Sequence, residues 1–96
     1  MTDEFKHYFL ICYDIIDHKT RRKVMKLTED YGVRVQKSVF EAFVTDAHLE
    51  RLINEIKEMI SEEDSYRIYQ LSRQAYRQKK TMGKPFEHKP DEDVII

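Results

Sequence analysis

The longest apolar run of the chain is Tyr8–Ile16, which contains one charged residue among its nine. β-branched and aromatic side chains dominate this run, and such a composition predicts a central strand that is buried on both faces. The next apolar residues recur at helical spacing, which predicts a helix that begins after a cap at Asp17 or Thr20. Its apolar positions are Val24, Leu27 and Tyr31. Gly32 follows this helix, where a helix end favours a positive φ.

The segment Val33–Val44 alternates as a strand does, but its alternation changes phase. A turn or bulge near Gln36–Ser38 reconciles the two phases and predicts a hairpin of two short strands. A second helix follows a cap at Thr45 or Asp46, and Tyr66–Leu71 alternates as a last core strand. The apolar stripe of that helix is Leu49, Leu52, Ile53, Ile56 and Ile60. The order β-α-β-β-α-β predicts an α+β, ferredoxin-like fold with two helices on one face of an antiparallel sheet.

The end of the chain is apolar, which is unusual for a terminus in water. At 96 residues the chain has room for one domain, with a core over about residues 7–72 and a further segment over about 73–96. Terminal residues normally fray unless they are held by other parts of the structure. We therefore expect Val94–Ile96 to form an added edge strand, on the chain's own sheet or on that of a second copy.

Composition limits the function through charge and cysteine content. The net charge is −1, which excludes binding to nucleic acid by overall charge alone. Lys19–Lys26 and Ser65–Pro85 nevertheless contain several bases and no acid. These stretches are either solvated faces or phosphate-binding patches. The single Cys12, the acidic start of the chain and the absence of a membrane-length apolar run predict a cytoplasmic protein without a membrane association.

Asp14 is the residue that most clearly suggests chemistry, because it lies near the end of an otherwise apolar strand. A carboxylate in such a place needs a partner, solvent or a cation. It is either a turn or capping aspartate, or a ligand of a hard cation such as Mg2+, for which two copies of the chain would supply two carboxylates. Tyr13 suits core or interface packing, and Ser38 suits a turn hydroxyl or a hydrogen-bond donor to phosphate.

Several segments together resemble the CRISPR-associated protein two family. The resemblance runs in order from about Tyr8 to Leu71, and the block Arg34–Glu41 is close to a signature of the family. The segments are Tyr13-Asp14-Ile15, then Asp17, Arg21 and Lys23, then Gly32–Glu41, and finally Asp64–Tyr69.

The resemblance implies a homodimer in which the C-terminal strand packs on the partner's sheet. It also implies that Asp14 of each protomer meets its mate near the twofold axis and binds Mg2+, with Mn2+ as a substitute. The positions that match functional residues of the family are Tyr13, Asp14, Arg21, Arg34, Ser38 and Phe40. An arginine position of the family is Lys23 here, which keeps the charge but not the two-pronged hydrogen bonding of a guanidinium.

Two functions of different classes fit this resemblance. The first is a metal-dependent endonuclease of single-stranded RNA or double-stranded DNA that takes part in spacer acquisition. The second is a non-catalytic dimeric scaffold that binds duplex DNA and holds the CRISPR integrase, with Asp14 dispensable. A toxin-like ribonuclease of related fold is a third. The sequence does not separate the first two, since they share a fold and a dimer.

Overall fold

The computed structural model describes residues 5–86, which form one four-stranded antiparallel sheet and three helices. The strands are β1 (Lys6–Asp14), β2 (Gly32–Gln36), β3 (Val39–Thr45) and β4 (Ser65–Leu71), and the helices are α1 (His18–Glu29), α2 (Asp46–Met59) and α3 (Arg73–Arg77). The strand order across the sheet is β2-β3-β1-β4. This arrangement confirms the predicted α+β, ferredoxin-like fold. Within the described range, no helix is both long and apolar enough to cross a membrane.

The core lies between one face of the sheet and the helices α1 and α2. On β1 the buried residues alternate, at Phe9, Ile11 and Tyr13, because successive side chains of a strand point to opposite faces. The helices contribute their own buried stripes, which are Val24, Met25 and Thr28 on α1 and Leu49, Leu52 and Ile56 on α2. The prediction that β1 is buried on both faces is wrong for a single protomer.

The sheet face opposite the two helices is apolar but only partly covered; we call it the open face. On β1 it presents the half-buried side chains of Tyr8, Leu10 and Cys12, which explains why the run reads as continuously apolar. Val33 and Phe43 lie on the same face and are 69% and 43% exposed. An exposed apolar face of this kind is typical of an interaction surface.

The hairpin predicted near Gln36–Ser38 is confirmed. β2 and β3 pair antiparallel with a turn at residues 37–38, and their register shifts between Arg34 and Gln36. This irregularity is the physical cause of the phase change in the sequence, since one extra residue moves the following side chains to the other face. The hairpin places Phe40 in the core, fully buried, opposite Ile11 of β1.

Gly32 does not have the role that the sequence suggested. It is the first residue of β2 and does not have a positive φ. Among the described residues, only Gly83 has a positive φ. Helix α1 instead ends at Asp30, in the right-handed helical region. A Cβ at Gly32 would lie 2.6 Å from the backbone oxygen of Glu41, so glycine is needed for the close approach of β3.

Both main helices begin at residues that were predicted as alternatives. Asp17 caps α1 by accepting a hydrogen bond from the Thr20 N–H, which also lowers the pKa of Asp17. Thr45 caps α2 by accepting one from the His48 N–H. Each cap satisfies a backbone donor that has no partner within its helix.

The chain beyond β4 returns to its own sheet through α3, which the sequence did not predict. The Tyr76 ring stacks on Tyr8 at a centroid distance of 3.9 Å, and Tyr8 stacks in turn on Phe43 at 4.4 Å. Lys79 forms an ion pair with Glu41, with Nζ 2.6 Å from Oε1. β4 itself is an edge strand with no fully buried residue, so it is less of a core strand than its pattern indicated. The predicted terminal strand Val94–Ile96 lies outside the described residues.

Candidate functional site

Asp14 lies at the last position of β1, where its neighbour across the sheet is Ser65 of β4. Its side chain is exposed, whereas the preceding Tyr13 is 6% exposed and points to the helix side. Alternation along the strand therefore places the Asp14 carboxylate toward the open face, next to solvent. An exposed carboxylate at a strand end is available to a cation or to a second copy of the chain.

Tyr13 is held between two aromatic rings in the core. Its ring centroid lies 6.1 Å from that of Phe40 and 5.9 Å from that of Tyr66, and the rings of Tyr13 and Tyr66 are nearly parallel. The Tyr66 hydroxyl lies 2.8 Å from the Thr28 hydroxyl, and burial raises the pKa of Tyr66 to about 12. This packing fixes the end of β1, and it agrees with the packing role that the sequence favoured for Tyr13.

The β2–β3 turn lies directly beside this strand end. The backbone oxygen of Ser38 accepts a hydrogen bond from the Tyr13 N–H at 3.1 Å. Arg34 holds the same turn, because its Nε and Nη2 donate to the backbone oxygen of Lys37 at 3.0 and 2.6 Å. Although Arg34 was predicted as a functional base, the structure buries it to 9% exposure.

Arg21 reaches the loop that follows Asp14. Its Nη1 donates to the backbone oxygen of Ile15 at 2.9 Å and lies 3.5 Å from that of Ile16. The side chain is half-buried, so part of it remains accessible. The Arg21 guanidinium therefore lies against the loop that directly follows Asp14.

Asp64 joins the two loops at this end of the sheet, a role that the sequence analysis missed. One carboxylate oxygen accepts from the Ile16 N–H and the other from the Ser61 N–H, each at 2.9 Å. These hydrogen bonds, first that of Ser61 and then that of Ile16, hold the pKa of Asp64 below its usual value. The signal available in the sequence was the Ser61-x-x-Asp64 spacing, which is typical of a side chain that closes a local turn.

We expect Asp64→Asn to destabilise the protein at neutral pH, because an amide replaces one of the two acceptors and the charge. A carboxyl whose pKa is lower in the folded state stabilises the fold above its unfolded pKa, about 3.9, and loses that contribution as pH falls through the lower folded value. The difference in free energy of unfolding between parent and variant should therefore shrink below about pH 4. Urea unfolding across this range measures it.

The neighbouring Glu62→Gln is the matched control, since Glu62 is exposed and lies in the same acidic block. It should leave stability nearly unchanged at every pH. A deficit in Asp64→Asn that persists undiminished in acid would show that the carboxylate charge is not what joins the loops.

The two acid-free basic stretches are solvent-exposed in the structure. On α1 the exposed bases are Lys19, Arg22, Lys23 and Lys26, and in the second stretch they are Arg67, Arg73, Arg77, Lys79, Lys80 and Lys84. Within this set, Lys79 forms an ion pair with Glu41. The other bases of this set are exposed, so they are accessible to a phosphate group.

A single described protomer offers little for a metal ion by itself. In residues 5–86 there is no group of three or more His, Cys, Asp or Glu side chains that could hold one. Asp14 alone fits Mg2+ as one hard oxygen donor among waters, and two copies of it would fit better. The donor chemistry is therefore compatible with Mg2+, and a complete site needs a second chain.

Comparison with known proteins identifies the family of the chain. The family described as CRISPR associated protein Cas2 matches residues 7–79, which include every predicted site residue. The chain belongs to the Cas2 family. A relative in Synechocystis sp., named CRISPR-associated endoribonuclease Cas2 2, is 41% identical over 93% of this chain and 98% of its own length.

Solved structures agree with this assignment. Streptococcus pyogenes Cas2 is 38% identical and superposes with a TM-score of 0.71, covering 79% of this chain and 99% of that one. A chain of a partial Cas6-RT-Cas1–Cas2 complex is 36% identical with a TM-score of 0.71, covering 79% of this chain and 90% of that one. The resemblance found in the sequence is thus confirmed, and so is the Cas2 fold.

The structure brings five of the six predicted site residues to one end of the sheet. Asp14 and Arg21 lie at an accessible strand end, Tyr13 and Phe40 pack beneath it, and Ser38 contacts it through its backbone. Arg34 reaches this end only indirectly, through its hydrogen bonds to the turn. The functional roles of these six residues stay predictions.

Proposed function

We propose that the chain is a Mg2+-dependent endonuclease that hydrolyses phosphodiester bonds in single-stranded RNA or double-stranded DNA during spacer acquisition. The observation that carries the proposal is the exposed Asp14 carboxylate with the Arg21 guanidinium on the adjoining loop. Support comes from relatives named endoribonucleases and from a neighbour found in a complex with Cas1.

The Asp14 carboxylates of two protomers would hold the Mg2+, each as an oxygen ligand. Bound Mg2+ would supply a water of lowered pKa and neutralise phosphoryl charge. Arg21 would bind the phosphate beside the scissile bond, since it already lies against the backbone that follows Asp14. Tyr13, Phe40 and Ser38 would keep the end of β1 in place beneath that phosphate.

The working form would be a homodimer. The open face leaves Val33, Phe43 and Tyr69 between 43% and 69% exposed, which is costly for a protomer alone in water. β4 is an edge strand whose outer side is unpaired within the described chain, so it could accept a further strand. A dimer would cover apolar surface and bring in the second Asp14.

The alternative is a scaffold that binds duplex DNA and the integrase without cutting. It is favoured by the structural neighbour in a Cas1–Cas2 complex. The test is cleavage of labelled RNA and duplex DNA, with and without Mg2+, by the parent and by Asp14→Asn. If the parent cleaves neither substrate in any divalent metal, the scaffold is favoured.

Both functions require binding to phosphates, which the exposed bases of α1 should provide. We expect binding of duplex DNA to weaken with salt, with a slope in log–log form of about −0.9 for each phosphate contacted. Changing Lys19, Arg22, Lys23 and Lys26 together to Gln should flatten the slope by about 3 to 4. Fluorescence anisotropy over a salt series measures this.

Lys57→Gln is the control, because Lys57 is an exposed base on α2 that belongs to neither of the two basic stretches of the sequence. It should leave the slope unchanged. If the α1 variant keeps the parent's slope, these bases are solvated residues and duplex DNA binds elsewhere.

A further inference from the structure

We infer that Arg34 is a positioning residue for the end of β1, which acts through the β2–β3 turn and does not bind phosphate. The inference refines the proposed function, on which its catalytic part rests. It differs from the role expected of a functional arginine in a nucleic-acid enzyme, which is to hold a phosphate with its guanidinium.

The burial of Arg34 is the first argument. It lies on β2 opposite the fully buried Phe40, and 9% of its surface is exposed. Arg22 of α1 and Arg67 of β4 are exposed, whereas Arg34 is covered. A phosphate group needs access to the edge of the guanidinium to form its paired hydrogen bonds, and this burial leaves little room for one.

The hydrogen bonds of Arg34 are the second argument. Nε and Nη2 both donate to one acceptor, the backbone oxygen of Lys37, at 3.0 and 2.6 Å. Lys37 and Ser38 form the turn between β2 and β3. Two donors on a rigid, planar group fix that oxygen in direction as well as distance, which a flexible lysine ammonium does not do.

The turn passes this constraint to the site. The next backbone oxygen, that of Ser38, accepts the N–H of Tyr13 at 3.1 Å. Asp14 is the next residue after Tyr13 and the last of β1. If the turn moved, it would therefore release this hydrogen bond between the hairpin and β1, immediately before the proposed Asp14 ligand. Arg34 thus influences Asp14 through three backbone groups without touching substrate.

The segment after α3 covers Arg34 from outside. The Phe86 ring lies over the guanidinium, with Cζ 5.2 Å from the ring centroid. The Lys79–Glu41 ion pair holds the start of this segment against β3. The segment and β2 together line a groove whose members include Arg34, Met82, Pro85 and Phe86. The covering ring is attracted to the cation and reduces its contact with solvent further.

The first test is the salt dependence of binding. Arg34→Gln removes the charge, so a phosphate ligand would lose one contact and flatten the slope by about 0.9 on duplex DNA or 0.7 on a single strand. We expect no change in slope for Arg34→Gln, and a change of that size for Lys23→Gln as the positive control. A flattened slope in Arg34→Gln would overturn the inference.

The second test is hydrogen exchange at the Tyr13 amide, followed by NMR. We expect Arg34→Gln and Arg34→Lys to speed this exchange by about tenfold, the effect of weakening about one hydrogen bond. The amides of Phe9 and Ile11 should keep the parent's rates, because they lie farther from the turn on β1. Equal acceleration at all three amides would mean general destabilisation, and no acceleration at Tyr13 would mean no positioning; either result would overturn the inference.

The kinetic test separates positioning from substrate binding. We expect both Arg34 variants to lower kcat at least about tenfold with KM nearly unchanged, and lysine not to rescue, since it cannot reproduce the fixed pair of donors. A raised KM, or rescue by lysine, would indicate a phosphate contact and refute the inference. If Arg34→Gln does not fold, hydrogen exchange at the Tyr13 amide of Arg34→Lys decides whether Arg34 positions the end of β1.

Phe86→Ala provides an independent check, because it uncovers the guanidinium and leaves Arg34 intact. We expect unchanged affinity for RNA and duplex DNA. If Phe86→Ala gains affinity and the gain disappears when Arg34→Gln is added, Arg34 binds phosphate once Phe86 no longer covers it, contrary to the inference. Since the exchange and salt measurements need no cleavage, a parent that does not cut would refute the nuclease proposal while leaving the structural role of Arg34 to be decided separately.

Discussion

Asp14→Asn should lower the rate of cleavage by at least about 100-fold, because the amide removes the charge from both proposed metal ligands in the dimer. The substitution keeps the shape of the side chain, and Asp14 is exposed at the end of β1. We therefore expect the fold and the dimer to be retained. Cleavage of end-labelled RNA and duplex DNA in Mg2+, beside the parent, measures the effect.

Binding must be followed on the same samples, so that lost chemistry is distinguished from lost substrate. Duplex affinity should stay within a few-fold, since Arg21 and the bases of α1 are unchanged. Asp46→Asn is the matched control, as Asp46 is an exposed aspartate at the start of α2; it should cut like the parent. If purified Asp14→Asn cuts as fast as the parent, Asp14 is not the metal ligand and the nuclease proposal loses its basis.

Deleting residues 91–96 should convert the dimer to monomer. Burial of Val94, Ile95 and Ile96 on a partner would stabilise the dimer by on the order of 1.5–3 kcal/mol for each side chain. Their loss should therefore raise the dimer dissociation constant by at least about 100-fold. Sedimentation equilibrium over a range of protein concentrations measures the shift.

The control for this deletion keeps the apolar residues and neutralises the acids before them, as Asp91→Asn, Glu92→Gln and Asp93→Asn together. This variant should remain dimeric, because the proposed contact is apolar. An intact dimer after the deletion would mean that the open face alone, with Phe43 and Tyr69, holds the two copies together and that no strand exchange is required.

The element order could be predicted from the sequence because the composition of β1 and the spacing of apolar residues in the later segments are typical of strands and helices. The change of phase between Val33 and Val44 predicted the hairpin, and the structure places a register shift there, between Arg34 and Gln36. Asp14 could be identified as exceptional because a carboxylate in an apolar strand is costly unless it is solvated or bound. The structure places it in solvent at the strand end.

Other features could not be read from the sequence, for physical reasons. An apolar open face and a buried face give the same residue types, so β1 was predicted as covered on both sides. Gly32 is required by the approach of the Glu41 backbone, and a single sequence does not show which strand passes nearby. For the same reason the sequence did not show that Arg34 donates to the Lys37 backbone oxygen, since backbone atoms are alike in every residue.

The stacked rings of Tyr13 and Tyr66 make the end of β1 visible by optical spectroscopy. The chain contains no tryptophan, so its near-ultraviolet circular dichroism comes largely from six tyrosines, and this pair is held nearly parallel between β1 and β4. Near-ultraviolet dichroism reports fixed side-chain packing rather than secondary structure. A variant that loosens the strand before Asp14 would lose tyrosine dichroism while keeping its far-ultraviolet spectrum, in the same cuvette and without any label.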